Sequence, residues 1–150
     1  MASCALLYAL SATAFLGAIL ATGFMGGPSW QFKKFADDSS KPWSAEKWKD
    51  KIFGGFTNSA TLNGDKLNTL QYFVLLAGQH GGIWVSLGIK PSNVKASKRD
   101  DPNRIGSYIG PMAQSDADAA PEEMSEGDLE TARLYGVRVA EIPHDTRSDP

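Results

Sequence analysis

The chain has 150 residues, a formal net charge of −2 and a sequence pI of about 5.6. That length suggests one domain, and the charge balance gives no footing for nucleic-acid binding. Cys4 is the single cysteine, and His80 and His144 are the two histidines. This excludes an intrachain disulfide framework and a cysteine metal cluster, and it argues against a histidine-built metal site.

No Asp, Glu, Lys or Arg precedes Lys33. Cys4 to Phe24 reaches the roughly 20 apolar residues that a membrane span needs. However, Ser11, Thr13, Gly17, Thr22 and Gly23 dilute it, and no basic residue precedes it as in a secretory leader. Two readings stand. The favoured one is buried strand and helix in a cytoplasmic protein; the other is a membrane or signal segment through residues 4–24. Residues 1–16 are set apart as an apolar N-terminal segment without an assigned role, ahead of a domain over 17–142 and a polar tail over 143–150.

Gly17 to Thr22 reads as a buried parallel strand, although periodicity alone leaves helix open. Gly26-Gly27-Pro28-Ser29 breaks the chain, and Phe32, Phe35 and Ala36 recur at helical spacing against Lys33 and Lys34. A short amphipathic helix is therefore expected from Trp30 to about Asp38, with Pro42 marking its end. Ile52 to Thr57 is a second strand. The polar turn Asn58 to Lys66 follows, and then a helix from Leu67 to Gln79 with an apolar stripe of Leu67, Leu70, Phe73, Val74 and Ala77. Gly81-Gly82 ends that helix, and Ile83 to Leu87 is a third strand.

Strands alternating with helices imply an α/β fold, a parallel sheet with helices on its faces. The turn between the second strand and its helix is where such sheets bind ligands, because free backbone N–H groups and hydroxyls collect there. It also reads as an ordinary loop in which Asn and Asp serve as caps.

Lys90 to Ser125 holds four prolines and few apolar residues, so a long irregular loop is expected. Within it, Lys95, Lys98, Arg99 and Arg104 could attract an anionic cofactor, but mixing with Asp100 and Asp101 favours a solvated loop. The acidic run from Asp116 to Glu130 likewise reads as solvated rather than metal-binding. Ser125-Glu126-Gly127-Asp128 has the form of a capping box. It opens a last helix whose expected buried stripe is Leu129, Ala132, Gly136 and Val139, closed by Pro143.

Several of these pieces, in this order, resemble the second half of flavodoxin-fold NAD(P)H:quinone oxidoreductases of the tryptophan-repressor-binding type. Gly23-Phe24-Met25-Gly26-Gly27-Pro28-Ser29 resembles the loop after the third strand, and Lys41-Pro42-Trp43 the aromatic turn on the substrate side. Phe56-Thr57-Asn58-Ser59-Ala60 through Asn63-Gly64 resembles the loop after the fourth strand, and Gln79-His80-Gly81-Gly82 a turn carrying a histidine near the flavin. Asn103 to Tyr108 and Asp128 to Arg133 extend the likeness, which covers about Gly17 to Glu141. The family's first strand, its phosphate-wrapping loop and its second strand have no counterpart here. The resemblance therefore implies an N-terminally incomplete flavodoxin-like sheet with strands 3, 4 and 5 contiguous.

It implies FMN as cofactor, NADH or NADPH as hydride donor and a quinone as substrate. Gly23, Phe24 and Met25 would contact the isoalloxazine. Thr57, Asn58, Ser59, Ala60 and Asn63 would serve its pyrimidine edge, and Gly64 would permit close backbone approach. Trp43 would wall the quinone pocket, and His80 would be catalytic, bonding the substrate or donor and assisting protonation. Each has a plainer reading: Trp43 as a cap on the core, His80 as a helix C-terminus suited to the dipole. The alternative for the whole chain is a non-catalytic partial domain that pairs its open sheet edge with another copy or a partner; a homo-oligomer is expected either way.

Overall fold

The computed structural model describes residues 17–20 and 23–145. In chain order they form β1 (Gly17–Leu20), β2 (Gly23–Phe24), β3 (Gly27–Pro28), α1 (Trp30–Asp38), α2 (Ser40–Ser44), β4 (Ile52–Ser59) and α3 (Lys66–Gln79). After these come β5 (Ile83–Trp84), β6 (Met112–Gln114), a 3₁₀ turn at Pro121–Glu123 and α4 (Glu126–Asp145). Residues 1–16, 21–22 and 146–150 lie outside this set, so most of the stretch read as a possible membrane span does too, as do the last two residues of the strand expected over 17–22. Its described parts are strands, and among the described residues no helix is long and apolar enough to cross a membrane.

β4 is the centre of the sheet. β1 runs parallel along one side, from Gly17 opposite Phe53 to Leu20 opposite Phe56. β5 pairs at Ile52–Ile83 and Phe53–Trp84, and β6 at Thr57–Met112 through Ser59–Gln114, both parallel. Residues two apart on a strand direct their backbone groups to the same side. Phe53 O accepts from Val85 N at 2.9 Å and Thr57 N donates to Pro111 O at 3.1 Å, so β5 and β6 share one edge of β4. They are two pieces of one broken strand line. The chain leaves that line after Val85 and rejoins it at Pro111. The expectation of three contiguous parallel strand positions is met, with the last one interrupted.

Helices cover both faces. Phe32 of α1 and Leu70, Phe73 and Leu76 of α3 form one buried cluster, joined by Trp84, Ile109 and Met112. Val85 and Leu87 form the other with Tyr135 and Val139 of α4. Each fully buried Leu or Phe stabilises the fold by about 1.5–3 kcal/mol. The pair Gly54-Gly55 lets both layers close on the central strand. A Cβ at Gly54 would meet Tyr135 Oη at 2.7 Å, and one at Gly55 would meet the Phe73 ring at 2.9 Å on the opposite face.

Several sequence expectations need correction. β4 runs two residues further than Thr57, so Asn58 and Ser59 are strand. The third strand is ladder-paired only over Ile83–Trp84, although Val85 and Leu87 remain core. The long loop contains β6, whose short Met-Ala-Gln run carries no period that a sequence pattern could register. Pro42 does not end α1; it sits in the first turn of α2, where a missing N–H costs nothing. Leu67 is exposed and the buried face of α3 is Lys66, Thr69, Leu70, Phe73, Leu76 and Ala77. In α4, Leu129 and Gly136 are exposed, and the buried side is Asp128, Thr131, Tyr135 and Val139. At the expected capping box, Arg99 donates to both Ser125 Oγ and the Asp128 carboxylate. α4 also continues past Pro143 to Asp145.

Candidate functional site

The carboxyl ends of β1 and β4 point toward two short connections. The first is the β2–β3 hairpin, whose two turn residues, Met25 and Gly26, have φ of 51° and 84°. Positive φ at both central residues is the geometry that matches strand twist in tight hairpins. Met25 at the apex is 93% exposed, and Asn68 in the first turn of α3 donates its side-chain amide to Gly26 O.

The second connection, from Ala60 to Asp65, is held from inside. Gly64 has φ of 49°, and a Cβ there would stand 1.8 Å from Ser59 Oγ, so only glycine closes this turn. Asp65 occupies the N-cap position of α3 in the left-handed region, with φ of 50° and no side-chain cap bond. The loop carbonyls are satisfied instead by Lys66, which is fully buried and donates Nζ to Thr61 O and, at 3.2 Å, to Leu62 O. Burial lowers the Lys66 pKa; Asp128 pulls it up and Arg99 pushes it down.

β6 fixes the other flank. Gln114 Nε2 donates to Ala60 O at 2.9 Å, and Asn58 Nδ2 to Ser115 Oγ at 2.7 Å. Asn58 Oδ1 is buried and has no partner among the described residues. Thr57 is fully buried beside it. Behind β6 lies a polar hub that sequence reasoning missed. Arg99 grips Asp128 through both terminal nitrogens, at 3.2 and 2.8 Å, and Gln114 O at 3.3 Å. Asp128 Oδ2 also accepts from Gln114 N at 3.0 Å. The neighbouring carboxylate raises the Arg99 pKa. One signal for this hub was present in the sequence: Asp128, Thr131, Tyr135 and Val139 follow helical spacing, but a carboxylate on a buried face looks like a solvent position.

Thr57, Asn58, Ser59, Ala60, Asn63 and Gly64 therefore come together at one end of β4, next to the hairpin that carries Gly23, Phe24 and Met25. Trp43 and His80 do not join them within one chain. His80 follows α3 and precedes β5, at the opposite end of the sheet. Its Nε2 lies 2.8 Å from Ser39 Oγ, and its ring packs on Trp48 with centroids 4.3 Å apart. Burial lowers its pKa, which disfavours the cationic form that a helix C-terminus would suit. Trp43, on α2, is half exposed.

No protein-family model matches the chain. It is 55% identical over 119 residues to flavodoxin FldP of Pseudomonas aeruginosa, covering 79% of this chain and 65% of that protein. The P25 protein of Schizosaccharomyces pombe is 31% identical over 116 residues, 74% of this chain and 54% of its own length. The crystal structure of a flavodoxin, WrbA-like protein from Agrobacterium tumefaciens matches with a TM-score of 0.65 and 62% identity, over 84% of this chain and 64% of that one. The fold is flavodoxin-like. The chain is similar to these relatives over most of its own length, and it spans slightly less than two thirds of the two bacterial ones.

Proposed function

We propose that this chain binds FMN at the carboxyl end of β4 and acts as an NAD(P)H:quinone oxidoreductase. The observation that carries the reading is Asn58 Oδ1, a buried acceptor at the carboxyl end of the central strand without a partner among the described residues. A lone buried acceptor costs about 1–3 kcal/mol unless something donates to it, and the imide N–H of a flavin pyrimidine ring is a fitting donor. The named relatives, a flavodoxin and a flavodoxin, WrbA-like protein, support the same choice.

FMN, when bound, supplies hydride acceptance from a nicotinamide and reduction of a quinone. The chain's own part is binding and orientation. Asn58, accepting through Oδ1, and the hydroxyl and backbone groups of Ser59 and Ala60 would hold the pyrimidine edge beside the buried Thr57, and donors placed there favour the reduced ring by stabilising charge that develops on it. Gly64 keeps the Asn63 turn tight, and Gly23, Phe24 and Met25 would flank the ring from the hairpin. Incubation with FMN, desalting and an absorbance spectrum test the reading directly. Retained flavin that NADPH or NADH bleaches and a quinone restores is the expected result; protein that emerges without flavin would refute it.

A second reading, association with another copy, draws on different residues. Trp30 is 71% exposed and Leu67 51%, next to the fully presented Met25. Three large apolar side chains around a hairpin favour burial against a partner. Sedimentation of the untagged chain checks this, and a monomer at all concentrations would dismiss it.

A further inference from the structure

Beside the Ala60–Asp65 loop lies a cavity of about 400 Å³ lined by Leu62, Arg99, Arg104 and Ile105, within the size range of small-molecule sites. We propose that it takes the phosphorylated adenosine end of the hydride donor, with Arg104 on the 2′-phosphate, so that NADPH is preferred over NADH. This deepens the flavin reading above and rests on it.

The two arginines differ in what they have left to offer. Arg99 is committed to Asp128 and Gln114. Among the described residues Arg104 forms no ion pair, and it donates Nη1 to Ser92 O at 3.2 Å. The acids that mix with it in sequence are occupied elsewhere. Asp100 accepts from Ser125 Oγ at 2.8 Å, and Asp101 from Lys98 N at 2.8 Å. A planar guanidinium with unused N–H groups is the side chain best matched to a phosphate.

The position of Arg104 is fixed by its neighbour. Asn103, buried with φ of 50°, receives Ser107 N on Oδ1 and donates to Ile89 O, Ser107 O and Thr131 Oγ1, all at 2.7–2.8 Å. That turn presents Arg104 and Ile105 together. Leu62 faces them from the flavin-side loop, whose Ala60 carbonyl is tied to Gln114 and through it to Arg99. Two apolar side chains and one open guanidinium suit a flat base whose ribose carries a phosphate.

The test is calorimetric titration of the full chain, flavin-free and FMN-loaded, with adenosine 2′,5′-bisphosphate, 5′-AMP and inorganic phosphate. The bisphosphate is expected to bind about tenfold or more tightly than 5′-AMP. Arg104→Ala should erase that difference, and Leu62→Asn should weaken both nucleotides. Arg104→Ala should still retain FMN. Unchanged bisphosphate affinity in Arg104→Ala would overturn the proposal, as would inorganic phosphate binding as tightly as the bisphosphate. Loss of FMN from Arg104→Ala would assign the cavity to the flavin instead. Because the titration also runs without flavin, a failure of FMN binding and a failure of the nucleotide subsite are read separately.

Discussion

The hydroxyl of Tyr135 stands in the break between β5 and β6, accepting Gly55 N at 3.3 Å and donating to Val85 O at 2.7 Å. Where the strand line leaves the sheet, one helix side chain supplies the missing donor and acceptor. Burial pushes its pKa up to about 12. Tyr135→Phe leaves both backbone groups unpaired and is expected to cost about 1–3 kcal/mol in urea unfolding. In the unfolded chain this phenol ionises near pH 10. The folded protein holds the proton longer, so this stabilisation is complete below pH 10 and is lost as the pH rises toward about 12. The alkaline loss should flatten in Tyr135→Phe.

Gly64 and Ser59 leave no room for a Cβ, and the backbone at Gly64 is left-handed. Gly64→Ala should destabilise the chain by about 2 kcal/mol or force the loop open. Thermal unfolding reads the first effect. FMN retention should fall with it, since the loop that would carry Asn63 and Ala60 moves.

Asn58→Ala separates stability from binding. It removes the bond to Ser115 but also an unsatisfied acceptor, so stability should change by no more than about 1 kcal/mol. FMN affinity, read by quenching of flavin fluorescence, should fall roughly tenfold. A large loss of stability with unchanged flavin affinity would mean that Asn58 serves the strand and not the ligand.

The Ser39 hydroxyl donates to Ala36 O at 2.7 Å, so the His80 Nε2–H must donate to it, leaving Nδ1 bare and buried. A proton on Nδ1 would find no acceptor. The folded pKa is therefore depressed by burial. The resulting stabilisation is present above the unfolded value of about 6.5, and it is lost as the pH falls through the lower folded value. Chemical denaturation between pH 7.5 and 5 should show that slope in the wild type and a shallower one in His80→Leu.

Order and type of the main elements were legible from local pattern. The strands at 17–20 and 52–59 and the helices at 30–38, 66–79 and 126–145 each carry a run or period long enough to declare itself. The candidate site at the carboxyl end of β4 was legible for the same reason, because a strand, a polar turn and a helix start are contiguous in sequence. Three things depended on side chains distant in the chain. β6 is three residues held by Thr57, Asn58 and Ser59. The buried side of α4 turned on Arg99 donating to Asp128, which converts a charged position into an interior one. His80 went to the far end of the sheet because a helix of 14 residues carries the chain back about 21 Å. Sequence by itself determined which segments would be strand or helix, since hydrophobic period and turn chemistry are local. Only the tertiary structure decided which polar groups are buried, which arginine is left with an open face, and which candidate residues share one end of β4, because those outcomes depend on pairings between residues up to 80 positions apart.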